Sequence, residues 1–316
     1  MGDTEAMKVG VLGAGAVGCY FGARLSQPSV HVTLVGRQAH VDAITRDGLA
    51  IHGANGSEVV EVSAATDITA IANVDVVLVT VKSVDTDAAA DLIVAHVSPD
   101  ALVVSLQNGV DNAWRLRERV PNPVVPAVVY VSTEMPAPGH VRHNGGGRIV
   151  VGTPLATGGQ QAVAGALLDA LVARFNDAGV PCVRSADVRV DLWTKLATNC
   201  AYNAISAITG LRYGIIAGDE EARAVMTATT DELVAVAHAD DVALPSETAH
   251  AAVWKIADVM PGALSSTAQD MQAGRRTEID ALNGYVVARG RALGVATPVN
   301  ATLTMLVKLL ERSRHP

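Results

Sequence analysis

The sequence predicts an α/β domain built on a parallel sheet, followed by an all-α domain. Three observations carry this prediction. Short apolar, β-branched runs alternate with helical patterns over the first half of the chain, which implies a parallel sheet with right-handed crossovers. From about Asp187 the apolar periodicity is helical almost to the end. A glycine-rich turn, Gly13-Ala14-Gly15-Ala16-Val17-Gly18, joins the first strand to the first helix. The change of pattern puts the boundary near 185, with an N-terminal domain over residues 1–185 and a helical domain over residues 186–316.

The elements follow in order. Lys8–Leu12 is the first strand, Val17–Ser26 reads as a helix and Val32–Val35 as the second strand. Asp75–Val81, Ala101–Leu106 and Val124–Val131 are near-continuous apolar runs, the mark of strands covered on both faces. Helical patterns lie around Val41–Asp47 and Thr86–Val97. His140–Val151, with Gly145, Gly146 and Gly147 inside it, reads as a hairpin at the sheet edge. Gln160–Ala178 reads as an amphipathic helix stopped by Gly179, with Val180–Val183 as one more strand. The helical half reads as Asp187–Ile208, Asp219–Ala239, Ser246–Val259, Ser266–Leu293 and Val299–Arg312.

Composition removes several function classes. An apolar fraction of 49% over 316 residues is enough to bury a sizeable core and excludes a disordered chain. A net charge of −8 argues against a general nucleic-acid binder, and 3% aromatic residues leave little surface for stacking bases. No run reaches the roughly 18 apolar residues of a membrane span. The acidic N-terminus, MGDTEA, lacks the basic and apolar regions of a signal peptide. Cys19, Cys182 and Cys200 form no CxxC pair and suit reduced thiols. These features together predict a soluble cytoplasmic protein. No His, Cys or carboxylate spacing suggests a metal.

The glycine turn has the GxGxxG pattern in the context that makes it informative: after a strand, before a helix, at the start of a βα half. Gly13 allows the tight turn. Gly15 removes the side chain where the backbone must approach a pyrophosphate, and Gly18 lets the helix pack close to the strand. The helix N-terminus then offers unpaired N–H groups to phosphates. This is a Rossmann-type arrangement. The second strand ends Val35-Gly36-Arg37, without the acid that binds the ribose 2′-hydroxyl of NAD. A guanidinium there binds a 2′-phosphate, which favours NADP; a solvated surface charge is the other reading of Arg37. Lys82 and Asn108 follow the third and fourth strand patterns, at the carboxyl ends where an open α/β sheet places its ligand crevice. Loop lysines and Asn-Gly turns are common, so each is also readable as structure alone.

Lys195, Asn199 and Asn203 stand at i, i+4 and i+8, on one stripe of an otherwise apolar helix. Such a stripe faces water, a partner or a site. Ser266 with Gln269 reads as a capping box, which accounts for the serine without a ligand. Glu278, beside Arg275 and Arg276, reads from spacing alone as a mid-helix surface ion pair. Cys200 reads as core packing, since no His or second Cys is placed to activate it.

Taken together these motifs resemble the ketopantoate reductase (2-dehydropantoate 2-reductase) family, from Met7 to about Leu310. The resemblance rests on Gly13–Gly18, Lys82, Gln107-Asn108-Gly109, Lys195 to Asn199 with Asn203, Ser265-Ser266, Gln269-Asp270, Thr277 to Asp280 and Asn283-Gly284. It implies NADPH-dependent reduction of 2-dehydropantoate to (R)-pantoate, a step toward pantothenate and coenzyme A. It also implies that Lys195 is the general acid and that Glu278 binds the substrate hydroxyl. Asn199, Asn203 and Ser266 then match substrate-binding positions, Asn108 a contact to both cofactor and substrate, and Arg37 and Lys82 cofactor contacts. The small 2-oxo acid is the expected partner, with a homodimer through the helical half. Tyr213 stands about where the family often has a further substrate-binding Asn, which leaves the particular 2-oxo acid open.

Two other readings stand beside this one. Hydroxyisobutyrate- and 6-phosphogluconate-type dehydrogenases share the domain pairing and a Lys-x-x-x-Asn helix, but the Ser265–Glu278 segment argues against them. A non-catalytic NADP sensor keeps the glycines and has no need of Lys195, Asn199 and Glu278.

Overall fold

The computed structural model describes residues 6–54, 56–156 and 160–314. The acidic residues 1–5, read above as lacking a leader, lie outside the described residues. The chain divides into two compact units, Met1–Gln107 with Asp111–Val188, and Asn108–Val110 with Arg189–Pro316.

The first unit begins with β1 (Met7–Leu12), α1 (Ala16–Leu25), β2 (Val30–Val35), α2 (Gln38–Asp47), β3 (Leu49–Gly53), β4 (Gly56–Val60) and β5 (Ser63–Ala65). It continues with β6 (Val76–Val79), α3 (Thr86–His96), β7 (Leu102–Ser105), α4 (Asn112–Arg119), β8 (Val124–Ala137), β9 (His140–Val151), α5 (Gln160–Asp177) and β10 (Cys182–Arg184). Among the described residues the strands form one ten-stranded sheet, in the order β4-β3-β9-β8-β7-β6-β1-β2-β5, with β10 on β9. The stretch from β8 through β7, β6, β1 and β2 to β5 is parallel, as the alternating pattern predicts. β6 is buried along its whole length and feeds two cores. Val76 and Leu78 pack on one face with Phe21 of α1 and Phe175 of α5; Val77 and Val79 pack on the other with Ala90 and Ile93 of α3. Each fully buried Val or Leu of this kind stabilises the fold by about 1.5–3 kcal/mol.

The glycine-rich β9 differs from its expected place. It pairs antiparallel with β8 but is not at an edge, because β3 and β10 also pair with it, both parallel. The β3–β4 hairpin is the added piece. All of β4 except Val60 is exposed, so it lacks the apolar alternation that marks a strand in a sequence.

The second unit is helical: α6 (Val188–Thr209), α7 (Tyr213–Gly218), α8 (Glu220–Ala239), α9 (Ser246–Val259), α10 (Ser266–Gln272), α11 (Asn283–Leu293) and α12 (Pro298–Arg314). α6 supplies its spine, with Leu192, Trp193, Leu196, Ala197, Cys200, Ala201 and Ala204 buried. Burial pushes the Cys200 thiol well above its usual range, so it stays protonated and packs as a small apolar group. Asp219 caps α8, accepting from the Ala222 amide at 2.8 Å.

Two expectations fail between 265 and 293. The N-cap of α10 is Ser265, whose hydroxyl accepts from the Ala268 amide at 3.0 Å, and not Ser266. The single helix expected over Ser266–Leu293 is broken after Gln272, and Gly274 takes a left-handed φ of 62°. The Glu311 carboxylate of α12 then accepts from the Thr277 amide at 2.7 Å and holds the chain out of helix. Glu278 therefore lies on an irregular segment before a short 3-10 turn, Ile279–Ala281.

Candidate active site

In the first unit the glycine turn is built as its chemistry demands. Gly13 has φ +116°, and a Cβ there would come within 2.8 Å of the Val81 amide nitrogen. A Cβ on Gly18 would lie 2.3 Å from the Gly13 carbonyl oxygen, so only glycine lets α1 start this close to β1. A Cβ on Gly15 would meet nothing within 4 Å. Its missing side chain serves an open cradle and not a packing contact. The Gly13 and Ala14 amides donate to the Val35 carbonyl. The first intrahelical bond of α1 runs from Cys19 to Gly15, and no side chain caps the helix. The amides of Ala16, Val17 and Gly18 are thus the ones a phosphate would use. These observations fit a dinucleotide.

The Thr80 hydroxyl, which the sequence reading did not single out, donates to the Gly13 carbonyl at 2.7 Å and locks β6 to the turn. Lys82, two residues on, is partly exposed and opens a short 3-10 turn. Arg37 is exposed and is the N-cap residue of α2.

In the second unit three of the expected residues meet. Lys195 Nζ donates to Asn108 Oδ1 at 3.0 Å, and Asn108 Nδ2 donates to Glu278 Oε2 at 3.0 Å. An ammonium only donates and a carboxylate only accepts, so the Asn108 amide has one orientation that satisfies both. Burial of the ammonium lowers the Lys195 pKa from 10.5 to about 8, while the nearby Glu278 charge pulls it back up. Beside this arrangement, Arg275 pairs with Asp270, and Arg276 with Asp280. The bridging role of Asn108 was not readable, because its partners lie 87 and 170 residues away in sequence.

Farther along the α6 stripe, Asn203 Nδ2 approaches Ser266 Oγ at 3.5 Å and Tyr213 Oη donates to Asn203 Oδ1 at 3.4 Å. Ser266 is exposed, whereas Asn203 and Tyr213 are buried. Burial and the neighbouring Tyr202 both hold the Tyr213 phenol protonated. Asn199, between Lys195 and Asn203, is partly exposed. Lys195 and Asn203 are eight residues apart on one helix, which places them about 12 Å apart along its axis.

Comparison with known proteins agrees on both units. The family model "Ketopantoate reductase PanE/ApbA" matches residues 9–155, and "Ketopantoate reductase PanE/ApbA C terminal" matches residues 187–311. The 2-dehydropantoate 2-reductase of Halobacterium salinarum is 33% identical over 311 residues, covering 97% of this chain and 99% of its own. The crystal structure of a PanE/ApbA family ketopantoate reductase from Ralstonia eutropha JMP134 is 46% identical. It superposes with a TM-score of 0.88, covering 98% of this chain and 100% of its own. A D-mandelate dehydrogenase solved with NADH and anilino(oxo)acetate is 23% identical and shares the fold at a TM-score of 0.89, over 98% of this chain and 99% of its own. In class, then, the molecule is an NAD(P)-dependent oxidoreductase. The chain belongs to the ketopantoate reductase PanE/ApbA family.

Among the described residues no helix is long and apolar enough to cross a membrane.

Proposed function

We propose that this protein reduces 2-dehydropantoate to (R)-pantoate with NADPH, and that Lys195 donates the proton. The observation that carries the proposal is the chain Lys195–Asn108–Glu278, with the lysine lowered to about 8. Reducing a 2-oxo acid puts negative charge on its carbonyl oxygen. An ammonium beside that oxygen stabilises the charge and supplies the proton. A lysine at about 8 is a better donor at neutral pH than one at 10.5, yet is still mostly protonated there. Asn108 aims the ammonium by holding it from one side, and Glu278 holds Asn108. Asn199, Asn203 and Ser266 would bind the acid, with Glu278 on its hydroxyl.

NADPH, when bound, supplies the hydride. Gly13, Ala14, Gly15, Ala16, Val17 and Gly18 would hold its pyrophosphate, with Arg37, Lys82 and Asn108 as further contacts. Arg37 at the end of β2, where an acid would favour NAD, supports the phosphorylated cofactor. Replacing Arg37 with alanine should raise the KM for NADPH by about 10- to 100-fold, the loss of one charge-assisted contact. The KM for NADH should hardly change. Equal effects on both cofactors would remove Arg37 from the 2′-phosphate.

The free, buried cysteines suit a reducing cytoplasm. Exposed Met305, Leu306 and Leu309 on α12 support a homodimer through the helical half.

The direct test is NADPH consumption by the purified protein with 2-dehydropantoate and a panel of other 2-oxo acids. Preference for 2-dehydropantoate supports the proposal. Preference for another acid keeps the mechanism and moves the substrate, with Tyr213 on Asn203 as the residue to exchange. NADPH binding with no turnover on any acid would sink the enzymatic reading.

A further inference from the structure

The first unit buries a polar cluster in the segments that follow β6 and β7. Ser83, Thr86, Ser105, Gln107 and Asn112 are each at most 5% exposed. Buried polar side chains are costly unless satisfied, and apolar residues would fill the same space more cheaply. These are well satisfied. Gln107 Nε2 donates to the Val81 carbonyl at 3.1 Å and to Thr86 Oγ1 at 2.8 Å, while its Oε1 accepts from Ser105 Oγ at 3.0 Å. The Thr86 hydroxyl has one proton and two acceptors in range, the Ser83 carbonyl at 3.0 Å and Asn112 Oδ1 at 2.9 Å. Asn112 Nδ2 donates to Ser83 Oγ at 3.2 Å, and Arg115 Nη1 to the Ser83 carbonyl at 3.0 Å.

What the cluster holds is a three-residue segment, Val81-Lys82-Ser83. The Val81 carbonyl is gripped by Gln107, and Ser83 by Thr86, Asn112 and Arg115. The Val81 amide lies directly against Gly13, where a Cβ would be 2.8 Å away. Lys82 is the middle residue, clamped at both neighbours beside the glycine turn. We propose that Gln107 and Thr86 are positioning residues that hold Lys82 against the glycine turn for cofactor binding. This rests on the reading of Lys82 as a cofactor contact.

The test is a double-mutant cycle on the full-length protein, read by equilibrium NADPH binding and not by turnover. Thr86→Val is nearly isosteric and removes only the hydroxyl. Thr86→Val and Gln107→Leu should each weaken NADPH binding about tenfold in the wild-type background. In a Lys82→Ala background they should weaken it less than about twofold, because the residue they position is gone. Thr86→Ser should restore most of the loss. Ser105→Ala, which removes only the bond that orients the Gln107 amide, shows the same coupling at smaller amplitude should Thr86→Val not fold. Equal penalties in both backgrounds, or a fall in melting temperature with unchanged affinity, overturn the clamp and leave Lys82 as a contact. Wild-type affinity in Lys82→Ala alone overturns the Lys82 reading itself, and the clamp with it.

Discussion

Replacing Lys195 with alanine should lower the rate of 2-oxo acid reduction by about 10²- to 10⁴-fold at neutral pH, the range for loss of a positioned general acid. NADPH affinity, measured separately by titration, should change far less than the rate, since the glycine turn that would hold the pyrophosphate belongs to the first unit. The wild-type pH profile follows from the same residue. The active form of Lys195 in the reduction direction is the protonated one. Its pKa of about 8 means the rate is full below that pH and falls about tenfold per unit above it. In the oxidation direction the neutral amine is the active form, so that rate rises through the same pH. Lys195→Arg keeps a positive charge but binds its proton too tightly to give it up. It should recover substrate affinity without recovering turnover. A rate in Lys195→Ala within a few-fold of wild type, or a profile flat through pH 8, would sink the assignment.

The glycine turn was legible because everything it needs is local. Gly13, Gly15 and Gly18 act on a strand and a helix that flank them in sequence, and the structure gives each a separate reason to be glycine. The apolar strands β6 and β7 were legible for the same reason, since burial on both faces leaves an uninterrupted apolar run. The Lys195–Asn199–Asn203 stripe was visible as a spacing, but its partners were not. Asn108 reaches Lys195 from 87 residues away, which no periodicity reports. Ser266–Leu293 has helical composition, which reads Glu278 as mid-helix. The break came from Gly274, which is local, and from Glu311, which lies 34 residues beyond the Thr277 amide it accepts from. The exposed strand β4 and the internal position of β9 were hidden because pairing partners, not side-chain patterns, define them. The same holds for the Gln107 cluster: its members look like ordinary loop and helix polar residues until Val81 is seen between them.

Glu278→Gln should separate the two things the carboxylate does. Its charge raises the Lys195 pKa against the burial that lowers it. Removing the charge leaves burial unopposed, so the falling limb of the reduction profile should move to below about pH 8. At pH 7 the rate should drop by about 10- to 100-fold, the worth of one charge-assisted hydrogen bond. The glutamine also removes one of the two partners that enforce the Asn108 orientation. A carboxylate can only accept, which commits Asn108 to present its oxygen to Lys195. A glutamine amide both donates and accepts, so the Lys195 ammonium alone still holds the Asn108 oxygen toward itself, and the bond on the other side becomes a weaker neutral one. Glu278→Asp tests the parts independently. It retains the charge and shortens the reach to Asn108, so its profile should keep a midpoint near pH 8 while kcat falls. If Glu278→Gln and Glu278→Asp both leave the midpoint where it is, the charge of Glu278 has no hold on Lys195, and the carboxylate acts on the substrate alone.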